Sequence, residues 1–189
     1  MRHLLKNVRS LGRNQEGSVA VEGAIAIPFF LSLVLGGITV FDMLRMGTDL
    51  DANTSVVSDL ISRESAVDNA KMETFFELQK TLTGVTDDAN ARLIVTAVIR
   101  LPDDNNGMPQ YELTWQFDSL TKTSTKPLTD TFDMKGRPLL AVGESALFID
   151  TTMKDKLIFS YEEPSRTLKR RVALTPRYLN HVENTDVPR

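Results

Sequence analysis

The stretch that decides the fold runs from Ser18 to Phe41 and reads SVAVEGAIAIPFFLSLVLGGITVF. Its 24 residues contain a single charged side chain, that of Glu22. As an α-helix, a stretch of this length extends about 36 Å, whereas the hydrocarbon core of a bilayer is about 30 Å thick. The stretch is therefore predicted to span a membrane as a helix, and the chain beyond Phe41 has the composition of a soluble protein.

The charges on the two sides of this stretch differ in sign. Residues 1–17 carry four basic side chains against one acidic, and residues 42–64 carry two basic against five acidic. Because basic residues remain on the cytoplasmic side of a membrane helix, we expect the N-terminus in the cytoplasm and the C-terminal part in the periplasm of a bacterium or beyond. A cleaved secretory signal is the rival interpretation, but Glu22 interrupts the apolar run before the small-residue site Ala24-Ile25-Ala26.

Glu22 has two interpretations. A carboxylate inside a membrane helix costs up to about 3 kcal/mol near the centre and less near an interface. Glu22 is either a snorkelling residue at the boundary of the span or a carboxylate that another group recognises. Gly17 stands directly before the apolar stretch, and Glu22 follows it by five residues. This spacing favours the second interpretation, in which another group recognises the Glu22 carboxylate.

The run from Gln15 to Glu22, QEGSVAVE, follows a short basic leader and resembles the type IV prepilin processing signal. The longer run GSVAVEGAIAIP, residues 17–28, resembles the opening of TadE-like minor pilins, or pseudopilins, of the tight-adherence (Tad/Flp) pilus. The resemblance is sharpest over about residues 10–45 and departs at Gly23, where the family often has a bulky apolar residue. It implies that prepilin peptidase cuts between Gly17 and Ser18, and that Glu22 serves peptidase recognition and assembly.

The same resemblance implies the partners and the location of the protein. The partners are prepilin peptidase, the other pilins and pseudopilins of the machinery, and the inner membrane. The precursor is a single-pass protein with a periplasmic head, which after processing takes part in pilus assembly and surface adhesion. Cleavage creates an ammonium group at Ser18, and the Glu22 carboxylate of a neighbouring subunit can neutralise it in a helix bundle. The alternative function is that of a permanently anchored envelope protein with a periplasmic binding head.

The predicted fold is α+β and pilin-like: a long N-terminal membrane helix, a second helix and an antiparallel-sheet head. The predicted segments are a basic leader (1–17), a transmembrane and assembly helix (18–41), a helical stalk with the second helix (42–84), a β-rich periplasmic head (85–176) and a loose tail (177–189). The second helix is expected over 67–82, with Gly84 as its C-cap.

The head is expected to contain four or five strands. Alternating and β-branched runs predict strands over 91–101, 110–117, 139–149, 156–161 and 168–175. The polar residues 119–137 are predicted to form a flexible loop.

Composition excludes several kinds of chemistry. The chain has no cysteine, which removes disulfides and thiolate sites, and its histidines are only His3 and His181, which argues against a zinc site. The net charge of −3 argues against binding of nucleic acid. An EF-hand centred on Gly107 fails, because Pro102 and Leu113 would occupy positions that require carboxylates.

Ser145, Asp150 and His181 occur in the order of a hydrolase triad, but the second glycine of a nucleophile elbow is missing from the run GESAL at 143–147. We therefore predict no catalytic residue, cofactor site, metal site or small-molecule substrate. A basic cluster consists of Arg166, Lys169, Arg170, Arg171 and Arg177. It is expected either to protect an edge strand from aggregation or to meet an acidic partner or lipid headgroups.

Overall fold

The computed structural model describes residues 15–126, 140–155, 166–178 and 180–187. The chain divides into two compact units, Met1–Leu44 and Arg45–Arg189, and helix α1 (Gln15–Ser62) contributes to both. The second unit contains helix α2 (Asn69–Thr83) and an antiparallel sheet. The predicted α+β class, with a long N-terminal apolar helix followed by a helix and an antiparallel sheet, is confirmed.

Within the first unit, α1 contains a proline and two hydroxyl side chains that bond to the helix's own backbone. Pro28 lies inside the helix and has no N–H to donate to the carbonyl of the residue four positions earlier. The hydroxyl of Ser32 donates to the Phe29 carbonyl at 2.8 Å, and that of Thr39 donates to the Leu35 carbonyl at 2.9 Å. Both hydroxyls are thereby satisfied without water, as an apolar environment requires.

In the second unit, α1 packs through one face. Its buried residues recur every three or four positions, as expected for one side of a helix; they are Leu50, Thr54, Val57, Ser58, Ile61 and Ser62. Helix α2 begins at Asn69, two residues later than predicted. Residues 66–67 form a strand instead, and the side chain of Asp68 accepts the N–H of Lys71 at 2.7 Å as the N-cap. Gly84 is the C-cap, as predicted, with the left-handed φ of 71° that favours glycine.

Among the residues that the structure describes, seven strands form two sheets. They are β1 (Ala66–Val67), β2 (Ala91–Leu101), β3 (Gln110–Asp118), β4 (Thr123–Thr125), β5 (Ser145–Asp155), β6 (Arg166–Leu174) and β7 (Glu183–Asn184). The large sheet has the order β4-β3-β2-β5-β6, with every neighbouring pair antiparallel. The small sheet pairs β1 with β7 in parallel.

The predicted strand positions hold for β2, β3 and β6 and hold in part for β5. The prediction over 139–149 is confirmed for 145–149 and wrong for 140–144, because the chain turns at Gly143, whose φ is 87°, and the strand begins only at Ser145. Leu140 is buried ahead of that turn, in a cluster separate from the main core. The predicted strand 156–161 lies outside the described residues. So do the leader up to residue 14 and most of the predicted loop 119–137, whose described part contains the unpredicted strand β4.

The core lies between the helices and one face of the large sheet. Odd-numbered residues of β2 and β5, such as Leu93, Val95, Leu147 and Ile149, pack against Phe76 and its neighbours on α2. Even-numbered residues of β5 point to the opposite face, because side chains alternate along a strand. A bulge between Ala97 and Val98 shifts the register with β3, so that a smaller apolar cluster forms on that second face.

The C-terminal segment differs from the loose tail that the sequence predicts. Val182 is buried, with 2% of its surface exposed, and it belongs to the main core. Its carbonyl accepts the Trp115 indole N–H at 2.8 Å. Strand β7 pairs with β1 directly afterwards. The segment is therefore held by three contacts: the burial of Val182 in the core, the hydrogen bond from the buried indole N–H, which needs a partner, and the pairing of β7 with β1.

Candidate functional site

Gly17 and Ser18 lie in the first turn of α1. Glu22 follows Ser18 by four residues, one helical turn or about 6 Å along the axis. Its side chain is exposed to solvent. The three predicted residues are therefore close together at the start of one helix, a proximity that follows from helical geometry alone.

Large apolar side chains surround the same helix on all sides. Twelve of them between Val21 and Phe41 are 36–69% exposed. They are Val21, Ile25, Ile27, Phe29, Phe30, Leu31, Leu33, Val34, Leu35, Ile38, Val40 and Phe41. None of the 18 residues in the most apolar window is buried, and α1 is the one described helix long and apolar enough to cross a membrane.

The free energy at stake is large. Burying one such side chain completely is worth about 1.5–3 kcal/mol, so twelve half-exposed side chains leave roughly 10–20 kcal/mol unrealised. A whole domain is stable by about 5–15 kcal/mol. The apolar part of α1 is therefore suited to an apolar environment, such as a bilayer or neighbouring helices.

The hydrolase-like residues are not assembled into a triad. Ser145 and Asp150 lie on opposite faces of β5, since they are separated by an odd number of positions. The Ser145 hydroxyl donates a hydrogen bond to the Asn180 carbonyl at 2.7 Å. The Asp150 carboxylate accepts hydrogen bonds from Nε and Nη2 of Arg171 at 2.6 and 2.8 Å. His181 Nε2 lies 3.2 Å from an oxygen of Glu183, not beside Asp150.

The carboxylates in the turn between β2 and β3 already bond to neighbouring residues of the chain. Asp104 Oδ1 accepts the N–H of Asn106 at 2.9 Å and that of Met108 at 2.7 Å. Asp103 pairs with Arg100 at 2.8 Å. Among the described residues, no group of three or more histidines and carboxylates could hold a metal ion.

Members of the basic cluster pair with acids of their own chain. Arg170 forms an ion pair with Asp51 of α1, and Arg177 Nη2 lies 2.6 Å from Asp59 Oδ1 of the same helix. Strand β6, which carries most of the cluster, is an edge strand of the large sheet. These contacts favour the edge-strand interpretation and fix β6 and the segment after it to α1.

The second unit contains two notable buried or half-buried charge pairs. The hydrogen bonds that the Lys80 ammonium donates to Asp88 and then to Glu77 raise the pKa of Lys80, whose side chain is 11% exposed. The same contact lowers the pKa of Asp88. Burial pushes the pKa of Asp118 up. Hydrogen bonds from the Arg92 side chain and the Leu120 N–H outweigh that effect and lower it. The first pair joins the end of α2 to residues 88–90, which follow it in the chain, and the second joins the paired strands β2 and β3, so both are contacts between neighbouring elements.

A groove lies beside the C-terminal segment. Its volume is about 530 Å³, within the range of small-ligand sites. Its apolar lining includes Ile99, Leu101, Trp115, Val182 and Val187. Its polar lining includes Ser145 and His181 together with Glu112, which pairs with Lys126 at 3.0 Å.

Sequence reasoning missed this groove. Its walls come from β2, β3, β5 and residues 181–187, and only the fold brings them together. The single local signal was Trp115, a large aromatic residue in an alternating strand. Comparison with known protein families, with curated proteins and with solved structures finds no match for the chain.

Proposed function

We propose that the protein is a TadE-like minor pilin of a tight-adherence pilus, processed by prepilin peptidase between Gly17 and Ser18. The observation that carries the proposal is Glu22, the one charge in an apolar stretch whose large side chains are exposed on all sides. A carboxylate is costly in such a helix, and a filament subunit has a use for it. The protein is then the substrate of the peptidase and catalyses no reaction itself.

Helix energetics support cleavage at this bond. The bond between Gly17 and Ser18 lies in the first turn of α1, where backbone N–H groups have no helical partner. Glycine lowers helix stability by about 1 kcal/mol relative to alanine. The first turn can therefore unwind at small cost and present an extended peptide bond, while the apolar helix beyond it stays intact.

Assembly follows from charge neutralisation. Cleavage leaves an ammonium group at Ser18, one helical turn before Glu22. When helices of several subunits pack together, Glu22 of one subunit neutralises the ammonium group of the next. A buried charge is stable only when it is paired, so this pairing sets the axial register of the helices. The apolar side chains move from lipid to neighbouring helices.

The proposed location is the bacterial inner membrane, with the N-terminus in the cytoplasm and the second unit in the periplasm. The charge difference across the apolar stretch supports this orientation. A reporter enzyme that is active only in the periplasm, fused after Arg189, should be active. Activity of a cytoplasm-dependent reporter at the same position would reverse the proposed orientation.

Cleavage is tested by co-expressing the full chain with a prepilin peptidase and measuring its intact mass. The expected product lacks residues 1–17 and retains 172 residues. Gly17→Leu should stop cleavage, because a bulky side chain blocks access to the bond. Gly12→Leu is the matched control in the leader and should be cut normally. An uncut wild-type chain, or normal cutting of Gly17→Leu, would remove the proposed processing.

The second candidate function is a permanently anchored envelope protein whose head binds a ligand. The groove of about 530 Å³ favours it. Such a protein would keep its leader and remain in the membrane fraction in the presence of the peptidase. The cleavage experiment therefore also separates the two candidates.

A further inference from the structure

We draw no further inference here: the strongest candidate, the partly apolar groove between the large sheet and residues 181–187, carries no proposal because nothing in the described part of the chain shows what covers it.

Discussion

Replacing Glu22 by leucine separates a boundary residue from an assembly residue. The side chain is exposed and lies in an otherwise uncharged stretch, so its loss should leave the helix intact and favour insertion into the membrane. The single subunit is therefore expected to be made, inserted and cleaved. If Glu22 were only a boundary residue, the consequences of the substitution would end there.

In the filament the same substitution removes the counter-charge of a neighbouring ammonium group. An uncompensated buried charge costs roughly 3–5 kcal/mol, which weakens each subunit contact by roughly 150- to 4,000-fold at 1.4 kcal/mol per factor of ten. Glu22→Leu and the isosteric Glu22→Gln should both fail to assemble. Glu22→Asp should assemble partially, because its carboxylate is one methylene shorter.

The assay combines three measurements in cells that carry each variant. Intact mass reports cleavage, membrane fractionation reports insertion, and surface piliation with co-purification of other pilins reports assembly. Glu16→Leu is the matched control, since that carboxylate belongs to the leader and is removed with it. Normal piliation and normal pilin association of cleaved Glu22→Leu would refute the charge-pairing mechanism.

Three further predictions concern both units. Gly36→Leu should leave the isolated chain unchanged, since a Cβ at this position would meet nothing within 4 Å. It should reduce co-purification of other pilins, because a bulky residue keeps neighbouring helices apart. Normal co-purification would mean that no helix packs against this position. Trp115→Phe should leave the Val182 carbonyl unpaired and lower the stability of the second unit by about 1–3 kcal/mol. Urea denaturation of the full chain in detergent, followed by circular dichroism, measures this change. An unchanged denaturation midpoint would contradict the role of that hydrogen bond. The pKa values of Asp88 and Asp118 are lowered from 3.8 in the folded state, so the stability that these carboxylates contribute is present above about pH 4 and is lost as the pH falls through the folded values. Asp118→Asn should reduce the loss of unfolding free energy on acidification. An unchanged dependence of stability on acidic pH would show that this carboxylate does not contribute.

The sequence alone determined the features that depend on neighbours along the chain. The apolar stretch, the Gly17-to-Glu22 spacing and the Gly84 cap each depend on residues within a few turns of one helix, so composition and periodicity suffice to find them. The same holds for β2, whose predicted bounds 91–101 are those observed. The proposed processing site rests instead on the resemblance of residues 17–28 to the opening of TadE-like pilins, which is also carried by a short run of sequence.

Only the tertiary structure decided where the C-terminal segment goes. Residues after Pro176 have little apolar periodicity, and a local pattern predicts a loose tail. Val182 nevertheless packs into the main core, and its carbonyl accepts the indole N–H of Trp115, 67 positions earlier in the chain. Such a contact has no signature in either segment alone.

The strand that begins at Ser145 and the basic cluster illustrate the same limit. The apolar residues before Gly143 read as part of a strand, but the left-handed turn at that glycine separates them, and Leu140 packs into a cluster of its own. Arg170 and Arg177 belong to the cluster that the sequence predicts either to protect an edge strand or to meet an acidic partner or lipid headgroups. Their carboxylate partners are on α1, more than a hundred residues away in sequence. Local periodicity specifies which segments become helices and strands, whereas the pairing of charges, the capping of buried polar groups and the walls of the groove depend on contacts that exist only once those segments pack together.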